Sequence, residues 1–444
     1  MPNPFPAQKE TALTSRLGGP FYATRSSASQ PVPCNQIKPV PLSIQAYPSM
    51  LLEISRGSGQ RPDGCEAASL DTLASRVSLE PQKTDWKDRR HQLRNTSGRV
   101  VGGRTAKCGH TPIGGSEINV VQGDHGGHHF TGLETCGSVW NCPVCAVKIT
   151  ESRRTDVKLV LEKHLLMSGK AAMFTMTIPH TRFQHVADTR KAVADGWKKV
   201  QEGIGWKDAK LRAGFIGSIR ALEVTHGNHG WHPHLHVVIL FSKGLTEGLL
   251  ESYSDFLFDR WSRAIERLGF GICSEEGFSC DPITDAEGVS KYCQKWGAAE
   301  ELTKAHIKNG KGGGRSPWQI LSDIEESNLP RDRALFSEYA SAFKGARQLT
   351  WSKGLRKQFI PEPEKVDDEV GNELECSDFE KSRRLTIGRG LWQRIAARVI
   401  QGKLLTAMDQ NGVEGVKEML RRHQIPYAIG VRQGLHGNLV PFIN

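Results

Sequence analysis

Two histidines separated by one residue, His234 and His236, stand in the segment WHPHLHVVIL, residues 231–240. Side chains two apart on a strand point the same way, so both imidazoles project from one face while Leu235 projects from the other. Two imidazoles a few ångströms apart are natural ligands for a divalent metal. In a chain with 16 histidines the pattern alone is weak, and a surface pair is the plainer explanation. Glu223, in RALEVTH just before the turn HGNHG, strengthens it, because folding a hairpin back there could bring a carboxylate beside the imidazoles. Such a set leaves coordination positions for water and a phosphate oxygen, which suits Mg2+ or Mn2+ acting as a Lewis acid. His232 is a further candidate, for supporting the ligands or touching a nucleic acid.

A second group lies in VSKYCQKWG, residues 289–297, where helical spacing sets Lys295 and Trp296 on positions neighbouring Tyr292. A tyrosine hydroxyl, with a pKa of about 10, is a weak nucleophile that needs a polarised phosphate and nearby positive charge to attack. Lys295 could supply that charge, or stabilise oxygen as charge moves during phosphoryl transfer. Read alone, the segment is more simply a core tyrosine packed with Val289 and Trp296.

A third group is the knuckle Cys142-Pro-Val-Cys145, with Cys136 and Cys108 upstream. Four thiolates would close a tetrahedral Zn2+ site, which is structural because no ligand position stays free. His110, His125, His128 and His129 compete as ligands, which makes Cys108 the least secure of the four, and redox chemistry or simple burial are the alternatives for a lone CxxC. Cys273, Cys280 and Cys293 read as core or loop residues.

The elements that must position these groups have an α+β pattern. Ala172–Pro179 alternates like a strand, and Phe215–Thr225 and Leu235–Phe241 read as a hairpin around HGNHG. Helical spacing marks an amphipathic helix of about 20 residues after Cys145, ended by Gly169, and another over Leu245–Leu268. A helix over about Asp285–Ile307 would carry Tyr292, and Ser316-Pro317 caps the next one.

Around this core, residues 1–100 are rich in Ser, Pro, Gly and Gln and read as largely disordered; 101–168 hold the cysteine-rich module and its helix. Residues 169–360 form the main domain, 361–384 an acidic linker, and 385–444 a basic helical region. The linker charge is plain in 361–381, with nine acidic residues against two lysines, whereas 382–444 carries ten Lys/Arg against three Asp/Glu.

The bulk composition agrees with these readings. The net charge of +11 and a pI near 9.2 suit a polyanionic partner, although a basic enzyme of another kind has the same balance. No apolar run approaches the roughly 20 residues of a membrane span. The start MPNPFPAQKE lacks a secretory layout, so the expectation is a cytoplasmic protein with reduced cysteines and no membrane partner.

In order and approximate separation, three segments resemble the motifs of plasmid rolling-circle replication initiators, which belong to the HUH endonucleases. FTMTIPH (174–180) resembles their first motif, HPHLHVVIL their metal-binding second, and SKYCQKW their third, with the nucleophilic tyrosine. SPWQIL and EYASAFKGARQLTWSKGL resemble the family's carboxyl flank, and CGSVWNCPVCA its cysteine-bearing upstream segment, so the resemblance runs over about 105–357. It implies a central antiparallel sheet with helices on one face, preceded by a small zinc-binding module and followed by the helical C-terminal region. It implies that His234, His236 and Glu223 bind the metal and that Lys295 assists Tyr292. Tyr292 would attack the scissile phosphate of single-stranded origin DNA, leaving a 5′-phosphotyrosyl link and a 3′-hydroxyl primer, with a host helicase and DNA polymerase as partners. Some relatives carry a water-activating glutamate four residues before the tyrosine; here Gly288 stands there and Glu287 lies one position earlier. That shift turns the side chain by about 100° around a helix; Thr284-Asp-Ala-Glu287 reads as a capping box, with a water-activating role for Glu287 as the second reading. A single-tyrosine transposase or relaxase, or a non-catalytic zinc-containing DNA-binding regulator, are the alternatives.

Overall fold

The computed structural model describes residues 86–124, 126–285, 288–289, 314–372, 378–433 and 439–444. In chain order the first elements are α1 (Trp86–Val101), α2 (Gly103–Lys107), β1 (Ile118–Gln122), β2 (His128–Thr131), α3 (Pro143–Leu166) and β3 (Lys170–Met176). Next come α4 (Val186–Val200), α5 (Gly203–Ala213), β4 (Phe215–Gly227), β5 (Gly230–Phe241), α6 (Glu247–Arg267) and β6 (Phe278–Ile283). They are followed by α7 (Pro317–Ser327), α8 (Pro330–Ala342), β7 (Leu349–Trp351), α9 (Leu355–Phe359), α10 (Asp367–Asn372) and α11 (Phe379–Ser382). The chain ends on β8 (Arg383–Ile387), α12 (Arg389–Ala397), α13 (Gln401–Arg422), β9 (Ile429–Gln433) and β10 (Leu439–Ile443).

The two longest strands, β4 and β5, are a hairpin rich in β-branched and apolar residues, and they nucleate a five-stranded sheet of order β6-β3-β5-β4-β7. Every neighbouring pair in it is antiparallel. Alternation sorts its side chains onto two faces. Phe174, Leu235, Val237 and Ile239 pack with Val193 and Trp197 of α4 and Leu257 and Trp261 of α6. Met173, Ala221, Val238 and Leu240 pack on the other side with Val157, Val160 and Leu161 of α3. Helices therefore cover both faces, not the single face that the family resemblance implies. The cause lies in the strands: both alternating sets are apolar, and each large side chain left in water would forgo roughly 1.5–3 kcal/mol.

The chain after the linker is not purely helical. β8, β9 and β10 join β1 and β2 in a second sheet of order β2-β1-β8-β10-β9, in which β10 runs parallel to β8. Ile118, Val120, Leu385 and Ile443 of this sheet close a separate core with Trp392 of α12 and Leu404 and Leu420 of α13. Gly132, at the end of β2, has φ +79° and would put a Cβ 1.9 Å from the Glu117 carbonyl oxygen, so only glycine fits there.

Helix α1 packs between these layers, against α3, α7, α8 and α13. It is mostly polar, yet Asp88, His91, Arg94, Thr96 and Ser97 are buried along with Leu93. Arg89 pairs with Glu325 of α7 at 2.6 Å, and Ser97 Oγ donates to the Asn141 carbonyl at 2.5 Å. His91 meets the Phe130 ring edge-on at 6.2 Å. Burial, and then the positive charges of Arg94 and Arg90, lower the His91 pKa well below its ordinary value. The folded protein thus keeps His91 neutral, while below about pH 6.5 the unfolded chain takes up a proton there. Its stabilising share is complete above that pH and is lost on acidification, by up to about 1.4 kcal/mol per pH unit. Thermal unfolding between pH 8 and 5 should show a falling Tm, with a shallower slope in His91→Gln. An equal slope in the variant would mean that folded His91 takes the proton.

Candidate functional site

The hairpin register sets Glu223 directly across from His234, and β3 sets Thr175 across from His236. Glu223, His234 and His236 all lie on the face that carries Ala221 and Val238 (alternation fixes this), and their ligand atoms fall within 4.8 Å of one another. His234 Nε2 is 3.3 Å and His236 Nε2 is 3.2 Å from the same oxygen, Glu223 Oε2. Burial alone would raise the Glu223 carboxyl, yet the charges and hydrogen bonds of His236 and His234 hold it well below the usual carboxylate range.

The far side of each ring explains why the Nε2 atoms converge. His234 Nδ1 lies 3.2 Å from the His232 carbonyl oxygen, which can only accept, so that nitrogen carries the ring proton. At His236, Thr175 Oγ1 stands 3.1 Å from Nδ1 and accepts from it whenever Nε2 keeps its lone pair. Two lone pairs and a carboxylate oxygen aimed at one point repel unless a proton or a cation lies between them. Adjacent ligands at about 2.1 Å from a six-coordinate ion lie roughly 3 Å apart, so this donor set fits a hard divalent cation. Thr175 was not among the residues singled out by spacing. Its signal was its place in FTMTIPH, on the strand that pairs with the histidines.

His232 belongs to the same row but not to the cluster. Its ring lies 5.3 Å from His234, and its Nδ1 is 3.3 Å from Nδ1 of His180, the last residue of FTMTIPH. Burial, helped by His234 and His180, lowers its pKa to about 4. Gly230, with φ +90°, lets the chain at Arg182 approach to where a Cβ would be 2.9 Å from that residue's Cα. A cleft opens beside Glu223, walled by Trp140, Arg153, Trp318, Tyr339 and Gln348.

Tyr292, Lys295 and Glu287 lie outside the described residues. Val289, three positions before Tyr292, is buried among Met173, Ala221 and Val238, on the face that bears the cluster. At the helix start before it, Asp285 Oδ1 accepts from the Gly288 backbone N–H at 2.8 Å; Glu287 of the expected capping box lies outside the described residues.

All four sequence-selected cysteines come together. Cys108 Sγ lies 3.7 Å from Cys142 Sγ and 3.6 Å from Cys145 Sγ, and Cys136 Sγ lies 3.7 Å from Cys145 Sγ. The edge of a tetrahedron with 2.3 Å metal–sulfur bonds is about 3.8 Å, so the donor set and its spacing fit Zn2+. Cys142 caps α3 with its sulfur, accepting from the Cys145 N–H at 3.5 Å, and Pro143 follows at the first helical position. Hydrogen bonds from Cys108, Cys136 and Cys142 push the Cys145 thiol down, while burial pushes the Cys142 thiol up. The competing histidines stay outside: His110 contacts Arg94 and Gln401, and His128 contacts Asp409. His129 is not in the group either, and His125 lies outside the described residues.

Among the described residues, no helix is long and apolar enough to cross a membrane. A family model described as "Replication protein" matches residues 131–389, which include Glu223, His234, His236 and three of the four clustered cysteines. "Protein rep" of Streptomyces lividans is 25% identical over 307 residues, covering 54% of this chain and 67% of that protein. A protein of Streptomyces cyanogenus named "Neomycin resistance protein" is 32% identical over 142 residues, covering 26% of this chain and 32% of its own length. This chain thus spans about a third of the second relative, and the name of that protein says nothing of this one. No solved structure matches. With more than half of its length matched by the model, the chain belongs to the replication protein family.

Proposed function

We propose that this protein starts rolling-circle replication by nicking one strand of its origin DNA and holding the new 5′ end on Tyr292. The observation that carries the reading is the convergence of His234 Nε2 and His236 Nε2 on one oxygen of Glu223. These three residues would hold Mg2+ or Mn2+, and the bound ion would supply Lewis acidity to a non-bridging phosphate oxygen. Thr175 and the His232 carbonyl hold the two rings in the orientation that turns both Nε2 atoms toward Glu223. Tyr292 attacks phosphorus, forming the Tyr–O–P bond as the P–O3′ bond breaks, and the phenolic proton is balanced by the one gained at the 3′-hydroxyl. Lys295, three residues on in the sequence, offsets the charge that builds on oxygen during the transfer. Val289, three residues before Tyr292 in the sequence, is buried on the sheet face that carries the cluster, which supports this arrangement.

The zinc part of the reading rests on the four sulfurs. Cys108, Cys136, Cys142 and Cys145 would hold Zn2+ as a closed structural site. Metal affinity at such a site is folding free energy. Cys145→Ser should therefore leave less than one zinc per chain and cost several kcal/mol of stability, read as a lower Tm alongside elemental analysis. Full zinc content in that variant would remove Cys145 from the ligand set.

The direct test uses a labelled single-stranded origin oligonucleotide with Mn2+. The expected product is a covalent protein–DNA adduct and a freed 3′-hydroxyl end. Binding without an adduct would instead identify a non-catalytic regulator.

A further inference from the structure

We propose that Arg94 is the counter-charge of the Cys108/Cys136/Cys142/Cys145 centre, so that helix α1 docks on that centre through one buried guanidinium; this rests on the reading of the four cysteines as a zinc site. Arg94 is 2% exposed, among the largest fully buried side chains of the molecule. A guanidinium stays protonated in proteins, so burial cannot be relieved by losing the charge. An isolated charge of this kind costs several kcal/mol at least unless an anion or a full set of acceptors meets it.

Among the described residues no carboxylate pairs with it. Its Nε has no hydrogen-bond partner, and Nη2 reaches only His110 Nε2, at a long 3.5 Å. What does approach it is the chain at the first cysteine. Gly109, directly after Cys108, has φ +62°, and a Cβ built there would sit 2.0 Å from Arg94 Nη1 and 2.9 Å from Cζ. The guanidinium is therefore pressed against the backbone that carries a sulfur ligand. Ser97, one helical turn on from Arg94, bonds the Asn141 carbonyl just before Cys142, so α1 meets the backbone beside two of the four cysteines.

Charge arithmetic completes the case. Four thiolates around Zn2+ carry a net charge of −2, and one adjacent guanidinium halves it. Burial pulls the Arg94 pKa down, while Cys108, Cys142, Cys145 and Cys136 each push it back up. Neutral thiols would leave Arg94 stranded, whereas a metal-loaded cluster satisfies it. Arginine here and glycine at position 109 are then parts of the metal site that the ligand spacing alone does not reveal.

The test is a Co2+ titration of the full chain, competed against a chelator, for wild type, Arg94→Met and Arg94→Lys. Thiolate-to-cobalt charge-transfer absorption reports the cysteine site, which a Glu/His/His set cannot imitate. Mn2+ binding at Glu223, His234 and His236 is followed in parallel and should be equal in all three proteins, which also shows that each is folded. Arg94→Met should bind Co2+ about 10–100-fold more weakly, as loss of an outer partner of a metal site does. Arg94→Lys, which keeps the charge, should lie closer to wild type than to Arg94→Met. Wild-type affinity in Arg94→Met, or a Lys variant as weak as the Met variant, overturns the proposal. A wild-type protein with no charge-transfer band overturns the zinc reading itself, and this inference with it.

Discussion

Tyr292→Phe should abolish the covalent protein–DNA adduct and slow strand nicking by roughly 10⁴-fold or more, about 5 kcal/mol of barrier, while single-stranded DNA binding changes by no more than a few-fold. The substitution removes only the hydroxyl. The ring that remains can still stack on a base, so binding and chemistry separate cleanly. The chain has six tyrosines, and the described ones leave Tyr292 with little competition. Tyr253 is 3% exposed, on the sheet face opposite the Glu223 cluster, with burial pushing its hydroxyl well above the ordinary value. Tyr339 is 1% exposed and donates its hydroxyl to the Trp140 carbonyl at 2.9 Å. Tyr427 packs with the core of the second sheet, not with the sheet that carries the β4–β5 hairpin. An adduct that survives Tyr292→Phe would therefore direct attention to Tyr22 and Tyr47, which lie outside the described residues. Mass spectrometry of the digested adduct identifies the linked residue directly.

What could be read in advance followed from local periodicity. The hairpin was legible because β4 and β5 carry β-branched and apolar runs around an obvious turn, and the pairing of Glu223 with His234 follows from that register. The cap at Ser316 and the long helix α6 were legible for the same reason, with Ser316 accepting from the Gln319 N–H at 3.2 Å and Thr246 from the Leu249 N–H at 3.3 Å. The four cysteines were chosen from spacing, and the structure brings their sulfurs together. Long-range pairing was not legible. Nothing in RRLTI or LVPFI says that these five-residue segments pair with each other in parallel, or that RRLTI meets INVVQ more than 250 positions earlier. Helix α1 escaped because its buried face is polar: Asp88, His91 and Arg94 give no apolar stripe, and their burial is set by partners elsewhere in the chain. Thr175 escaped for a related reason, since a threonine on a strand is ordinary until β3 is placed beside β5. The hidden parts are those whose meaning depends on a neighbour that is distant in sequence.

Substitutions at the Glu223 cluster should give a graded series in which metal affinity and nicking fall together. His236→Ala removes a donor whose Nε2 stands 3.2 Å from Glu223, and should weaken Mn2+ binding by at least about 100-fold with a comparable loss of nicking. Glu223→Gln keeps the size and one acceptor oxygen but removes the charge, in a site where that carboxylate is held ionised by two imidazoles. Its expected loss lies close to that of His236→Ala, because a hard cation depends on the anionic ligand most. Thr175→Val leaves all three donors in place and removes only the group 3.1 Å from His236 Nδ1, so the ring loses its anchor and its preferred tautomer. About tenfold is expected there, mostly in Mn2+ affinity, and raising the Mn2+ concentration should restore nicking. Isothermal titration with Mn2+ and the oligonucleotide assay give the two columns of the series. Unchanged Mn2+ affinity in both His236→Ala and Glu223→Gln would show that the convergence on Oε2 is an ion pair of the folded chain and not a metal site. Rescue by excess Mn2+ separates the Thr175 variant from one that is merely misfolded, since a damaged sheet would not regain activity with added metal.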